Sequence, residues 1–208
     1  GEKKWRVSLG AMAKNNSYGS AASPPLHENL LIVNACIETA ELYRQGETIA
    51  LDKRTGKEEW RAKAGGEWSS PLLVTVGGKT ELVTATRRGP WLGLDPATGR
   101  RLWECEGKEY CATPVAHDGV VYTVGGDSRA AIRAGGRGDV TRTHKLWDTP
   151  GGTWIPSPAY HDGHLYWSAH EGGLVFCANA RTGQRVYSER LPRAGRMFAS
   201  PVVADGRI

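Results

Sequence analysis

A small hydroxyl residue followed by proline recurs along this chain at intervals of 43–47 residues, and this period constrains the fold more than any other feature. The pairs are Ser23-Pro24, Ser70-Pro71, Thr113-Pro114, Ser157-Pro158 and Ser200-Pro201. Each of the last four leads into a short apolar stretch, such as Leu72-Leu73-Val74 or Val202-Val203-Ala204, and then into a turn. The turns are Gly77-Gly78, Asp118-Gly119, Asp162-Gly163 and Asp205-Gly206. Gly-Gly and Asp-Gly reach the positive φ that two-residue hairpins require. A second strand follows, as in Leu82-Val83, Val120-Val121-Tyr122 and Leu165-Tyr166-Trp167.

A second marker runs at the same period. An Asp or Asn stands eight residues before an aromatic: Asp52 and Trp60, Asp95 and Trp103, Asp139 and Trp147, Asn179 and Tyr187. Three of these units carry Thr-Gly between the two, with Gly56, Gly99 and Gly183 as the glycines. The acid or amide side chain caps backbone N–H groups of a tight turn, and glycine takes its left-handed position. The aromatic then falls on the next strand, where a wide flat ring can be buried. Abundant Gly, Pro and Trp (27, 11 and 8 residues) suit short strands and tight turns.

A unit of this length holding four short strands is a propeller blade. The expected fold is therefore all-β, a β-propeller of four-stranded antiparallel blades, with no helix beyond a turn or two. Four full blades are expected at about 10–63, 64–107, 108–149 and 150–193, with partial blades at 1–9 and 194–208. The first is longer, with an excursion near Ile37 to Gln45, and Trp5 reads as the aromatic of a preceding blade. The chain thus reads as a fragment of a larger ring, monomeric when full length. Because one blade cannot cover its own faces, the neighbours supply the core. Trp60, Trp103 and Trp147 are expected as buried wedges between blades, with Ala50, Gly93 and the turn glycines leaving room for them.

Ala50-Leu51-Asp52, Thr55-Gly56 and Trp60 resemble the tryptophan-docking motif of pyrroloquinoline-quinone-like repeats. Gly93-Leu94-Asp95, Thr98-Gly99 and Trp103 match it with Gly for Ala. The fourth unit is degenerate, with Cys177, Asn179, Thr182-Gly183 and Tyr187. The third departs most, with Arg142-Thr143 in place of Thr-Gly. The family holds two classes. Quinoprotein dehydrogenases bind the quinone and Ca²⁺ and oxidise alcohols or sugars. Non-enzymatic members, similar to the lipoprotein subunit of the outer-membrane β-barrel assembly machinery, bind other proteins. The resemblance implies an extracytoplasmic location, periplasmic or secreted.

Chemistry is sparse beside this. The vicinal Cys-Cys that covers the quinone in the dehydrogenases has no counterpart, because Cys36, Cys105, Cys111 and Cys177 are all separate. Every obvious Asp already has a turn role. The reading therefore leans to a non-enzyme with no cofactor and no metal, the alternative being a dehydrogenase whose quinone site lies in other blades. Cys105 and Cys111 are near enough to pair or to remain two thiols. His117-Asp118-Gly119 and His161-Asp162-Gly163-His164 sit at equivalent hairpin tips, too far apart for one ion. Arg137-Gly138-Asp139 is the adhesion tripeptide, but Asp139 is already taken as a turn residue. The +5 charge is scattered over turns, so no nucleic acid is expected. Arg129, Arg133, Arg137, Arg142 and Lys145 read as a solvated hairpin or as a surface for an acidic partner. No apolar run is long enough for a transmembrane helix.

One series remains. Trp68, Tyr110, Trp154 and Phe198 each precede a hydroxyl-Pro pair by two or three residues. That position enters the innermost strand near the axis. The wedge already has its own aromatics, so this second series points to a surface that binds a protein or polymer partner.

Overall fold

The computed structural model describes residues 1–11, 20–36, 46–65, 68–86, 89–108 and 111–208. The excursion expected near Ile37 to Gln45 lies outside them. The first blade comprises β1 (Leu26–His27), β2 (Leu30–Ala35), β3 (Glu47–Asp52) and β4 (Glu58–Ala62), hydrogen-bonded in that order. The second comprises β5 (Leu72–Val76), β6 (Lys79–Ala85), β7 (Trp91–Leu94) and β8 (Arg101–Cys105). In the third, β9 (Val115–His117), β10 (Val120–Thr123) and β11 (Ser128–Arg133) are followed by β12 (Gly138–Asp139), a helical turn α1 (Thr141–His144) and β13 (Lys145–Pro150). The fourth comprises β14 (Ala159–His161), β15 (His164–Ser168), β16 (Leu174–Asn179) and β17 (Arg185–Arg190). These are four antiparallel four-stranded blades of a propeller, the second extended at its edge by β12, and they are not closed into a ring. The first strands of successive blades, β5, β9 and β14, touch one another and so mark the axial side.

Local chemistry explains the hairpins. Asp118 and Gly119, and likewise Asp162 and Gly163, both take positive φ, as the two-residue turn demands. Between the third and fourth strands, Asp52 Oδ1 accepts from the N–H groups of Arg54 and Thr55 at 2.9 and 2.8 Å. Those N–H groups, the Thr55 one foremost, hold the Asp52 carboxyl below the usual carboxylate range. Asn179 caps Arg181 and Thr182 in the same way. A bulge at the same point in every blade, after Ala50, Gly93, Ala131 and Cys177, sets the register of the fourth strand.

The core lies between blades. One cluster joins Ile32, Ala50 and Trp60 to Leu82, Leu92 and Leu94 of the next blade. A second joins Val83, Trp91 and Trp103 to Val121, Ile132 and Val140. A third joins Tyr122 and Ala131 to Leu165, Trp167 and Ala178. The tryptophans reach across these layers. Trp5, Trp60 and Trp147 donate Nε1–H to the carbonyls of Lys53, Pro96 and Ala180, at 3.1, 3.0 and 2.9 Å. In each case the acceptor directly follows the capping Asp or Asn of the next blade. The rings lie on Gly56, Gly99 and Gly183, where an added Cβ would fall 2.5–2.7 Å from ring carbon.

Three expectations need correction. Asp139 is not in the third blade's hairpin turn. The bulge register puts Arg133 there, and residues 134–144 form an insertion. Within it β12 runs parallel to β8 of the second blade, and Asp139 caps the Thr141 N–H at 2.9 Å. Trp103, fully buried, consequently meets no neighbouring turn; its Nε1–H goes to Glu81 of its own blade at 2.8 Å. Trp147 is half-buried rather than buried, because outermost β13 alternates half-buried and exposed residues along its length.

The hydroxyl-Pro marker has an inter-blade role. The N–H groups of Ser23, Ser70, Thr113 and Ser157 donate to the hydroxyls of Ser70, Thr113, Ser157 and Ser200, at 2.8, 3.0, 2.9 and 2.9 Å. Each hydroxyl thus ties its blade to the preceding one, and proline, without an N–H, starts the inner strand.

Candidate binding face

The face that carries this belt also carries the connections between blades and the loops joining second to third strands. Trp68 is half-buried there, whereas Trp154 and Phe198 are 52% and 61% exposed. Tyr110 lies outside the described residues. Phe198 meets the His170 ring edge-on at 4.8 Å. The connection bearing it is fixed by Met197 N–H to His170 O and by Ser168 Oγ to Ala199 O. Trp154 sits on the preceding connection, which Thr153 pins to Val124 and Gly126 by backbone bonds of 2.7 and 2.8 Å. Of the aromatic series, the structure therefore brings Trp154 and Phe198 to neighbouring connections on either side of His170. Trp68 lies two blade junctions away.

Between the Trp154 connection and the loop joining β15 to β16 lies a cavity of about 590 Å³ lined by Gly152, Thr153, Trp154, Ala169, His170 and Glu171. Glu171 is exposed and pairs with Arg196 at 3.5 Å. Behind it the third and fourth blades meet through a stack of cations and rings. Arg129 lies over Trp167 at 4.9 Å, Trp167 stacks on Phe176 at 5.1 Å, and Arg185 covers Phe176 at 5.3 Å. Arg129 is 4% exposed, and burial together with Arg185 lowers its pKa. It is thus no part of a solvated hairpin: its strand β11 faces the fourth blade, and the Trp167 ring covers it. Sequence reasoning placed Arg129 in a basic run and missed Thr153, Trp167 and His170. The only local signal was an arginine where the first blade has Thr48, directly before the apolar run Ala130-Ala131-Ile132.

The other candidates are absorbed by structure. Arg137 pairs with Glu81 at 3.1 Å, which removes the adhesion reading. His117 stacks on Tyr160 of the next blade at 4.2 Å, and His164 bonds Asp162 O. Lys145 pairs with Asp148. Cys105 is a buried thiol, its pKa raised chiefly by that burial. A second cavity, about 540 Å³, opens between the second and third blades beside Glu104, Glu106, Lys108, Asp127, Asp139 and Lys145. Among the described residues no three His, Cys, Asp or Glu side chains converge as metal ligands. Nor is any helix of these residues long and apolar enough to cross a membrane.

Comparison with known proteins agrees with this geometry. The model of the family described as outer membrane protein assembly factor BamB matches residues 1–140. No curated protein matches the chain. Among solved structures, BamB from Moraxella catarrhalis superposes with a TM-score of 0.69 at 18% identity, covering 96% of this chain and 58% of that one. A europium-containing methanol dehydrogenase gives 0.63 at 13% identity, covering 89% of this chain and 43% of that one. Quinohemoprotein alcohol dehydrogenase from Comamonas testosteroni gives 0.59 at 13% identity, with 83% and 35% covered. The chain thus spans little more than half the length of the first of these, and such identities speak for the fold alone.

Proposed function

The chain belongs to the outer membrane protein assembly factor BamB family, and from that premise we propose that it is a non-enzymatic scaffold that binds a protein or polymer through its axial face. The observation that carries this is the exposure of Trp154 where the connection between the third and fourth blades emerges. Large rings left in water beside polar turns are how binding faces are built. The wedge tryptophans already serve the packing, so stability does not ask for a second series. The family supports a protein partner and a periplasmic setting. In the full-length protein, replacing Trp68 and Trp154 together by alanine should weaken partner binding by about 2 kcal/mol or more, the scale of an interface hot spot, with little loss of stability. Unchanged affinity in the folded variant, measured by calorimetry, would remove the proposal.

A second reading is favoured by the likeness to the methanol dehydrogenase: a piece of a quinone-dependent alcohol or sugar dehydrogenase. Among the described residues no three His, Cys, Asp or Glu side chains gather as a ligand set for it. Titration with pyrroloquinoline quinone and Ca²⁺, followed by tryptophan fluorescence, should stay flat. A saturable micromolar response would replace the scaffold reading with the enzymatic one.

A further inference from the structure

Buried polar side chains in native proteins have partners, and each exception asks for a reason. Among the described residues the buried side-chain atoms without a hydrogen-bond partner are Arg129 Nε and Nη1, Thr149 Oγ1, Thr153 Oγ1, Trp167 Nε1 and His170 Nδ1. All belong to the third and fourth blades. Two of the residues, Thr153 (3% exposed) and His170, line the cavity beside Trp154. The connection that forms its wall is held close in. A Cβ at Gly152 would meet the carbonyl oxygens of Ser128 and Gly126 at 2.5 and 2.7 Å, so only glycine fits there. The cavity thus combines unmet hydrogen-bonding capacity with one broad apolar ring, and its volume is that of small-molecule sites.

We propose that this cleft binds a neutral saccharide, one ring lying on Trp154 and its hydroxyls bonded to Thr153, His170 and Glu171. The proposal rests on the polymer-binding reading above and names its chemistry. Charge decides the class. Glu171 on the rim is already paired with Arg196 at 3.5 Å, so the rim carries no net charge to draw an anion. Arg129, whose Nη2 bonds Pro150 O just before the connection, opposes a cation. A neutral ligand offends neither. Unmet hydroxyl and imidazole groups are otherwise served by water, and displacing ordered water gains affinity only when the ligand reproduces its bonds. Sugar hydroxyls both donate and accept, as water does, while the C–H face of the ring covers the indole.

The test uses the full-length protein with cellotetraose and chitotetraose, followed by saturation-transfer NMR and calorimetry. At least one should bind saturably. Trp154→Ala should weaken it about tenfold or more, equivalent to about 1.4 kcal/mol. Thr153→Val keeps the shape, removes the hydroxyl, and should weaken it about fivefold, the effect of one hydrogen bond. Should Trp154→Ala not fold, Thr153→Val carries the test. No saturable binding, binding indifferent to both variants, or preferential binding of inorganic phosphate would overturn the proposal. A photo-crosslinker at position 68 or 154 separates the two readings. Protein capture there without sugar binding leaves the face reading standing and removes the saccharide. Neither capture nor sugar binding removes both.

Discussion

The junction between the first and second blades and the junction between the second and third solve one problem in different ways. At the first, Trp60 lies on the Gly99 turn and gives its N–H to Pro96 O. At the second no such turn exists, because residues 134–144 replace it. Trp103 instead gives its N–H to Glu81, a 3%-exposed carboxylate that also receives Gly135 N–H at 3.0 Å and Arg137 at 3.1 Å. The insertion is tied back further by Val140 N–H to Glu104 O and by Glu106 N–H to Thr141 Oγ1. What the repeat requires, then, is a partner for a buried indole N–H and a cover for its ring. A neighbour's backbone turn can supply both, or an internal acid and an inserted segment can. The second solution places an acid in the core, which is tolerable because three donors surround it.

Five substitutions probe this contrast, read by equilibrium unfolding in denaturant. Trp60→Ala should be the most damaging, by about 3–5 kcal/mol, because a large ring between two blades leaves a cavity. A loss below about 1 kcal/mol would show that the ring is not a wedge. Glu81→Ala should follow, at about 2–4 kcal/mol, since two buried N–H groups lose their acceptor. Arg137→Ala, by contrast, removes a mostly exposed partner and should change stability by less than about 1 kcal/mol. Equal losses in the two variants would mean that the ion pair, not the buried donors, holds the insertion. A pair of glycines, both at positive φ, sharpens the comparison further. Gly138→Ala meets open space and should show only the backbone strain of about 1–2 kcal/mol. Gly99→Ala carries that strain and a clash with Trp60, and should exceed it. Equivalence of the two would show that the Trp60 ring shifts aside freely.

The blades were legible because their signals are local. Asp-Gly and Gly-Gly turns, the capping of Arg54 and Thr55 by Asp52, and the left-handed glycines are settled within a few residues, so they repeat visibly. The misreading at Asp139 has the same origin. Its spacing to Trp147 equals that of Asp52 to Trp60, yet the intervening segment is a β12 strand and a helical turn, not a hairpin. Spacing alone cannot distinguish these. A better signal was the run Ala130-Ala131-Ile132, whose small and branched residues match Ile49-Ala50-Leu51 and place Arg133 at the turn.

The candidate binding face was only partly legible. The period singled out Trp154 and Phe198, but not Thr153, Trp167 or His170, which have no repeat and no motif. Their significance depends on what a neighbouring blade fails to offer them.

From its sequence alone this chain determined the strand count of each blade, the hairpin turns and the period at which blades follow one another, since each depends on backbone conformations that Gly, Pro and Asp impose on near neighbours. Only the tertiary structure decided that the repeated hydroxyls form a belt, that Trp103 turns to Glu81, and that Arg129 is buried over Trp167. Those pairings join residues of different blades or opposite sides of one sheet. Which groups meet there depends on how the sheets stack, and no spacing along the chain encodes that.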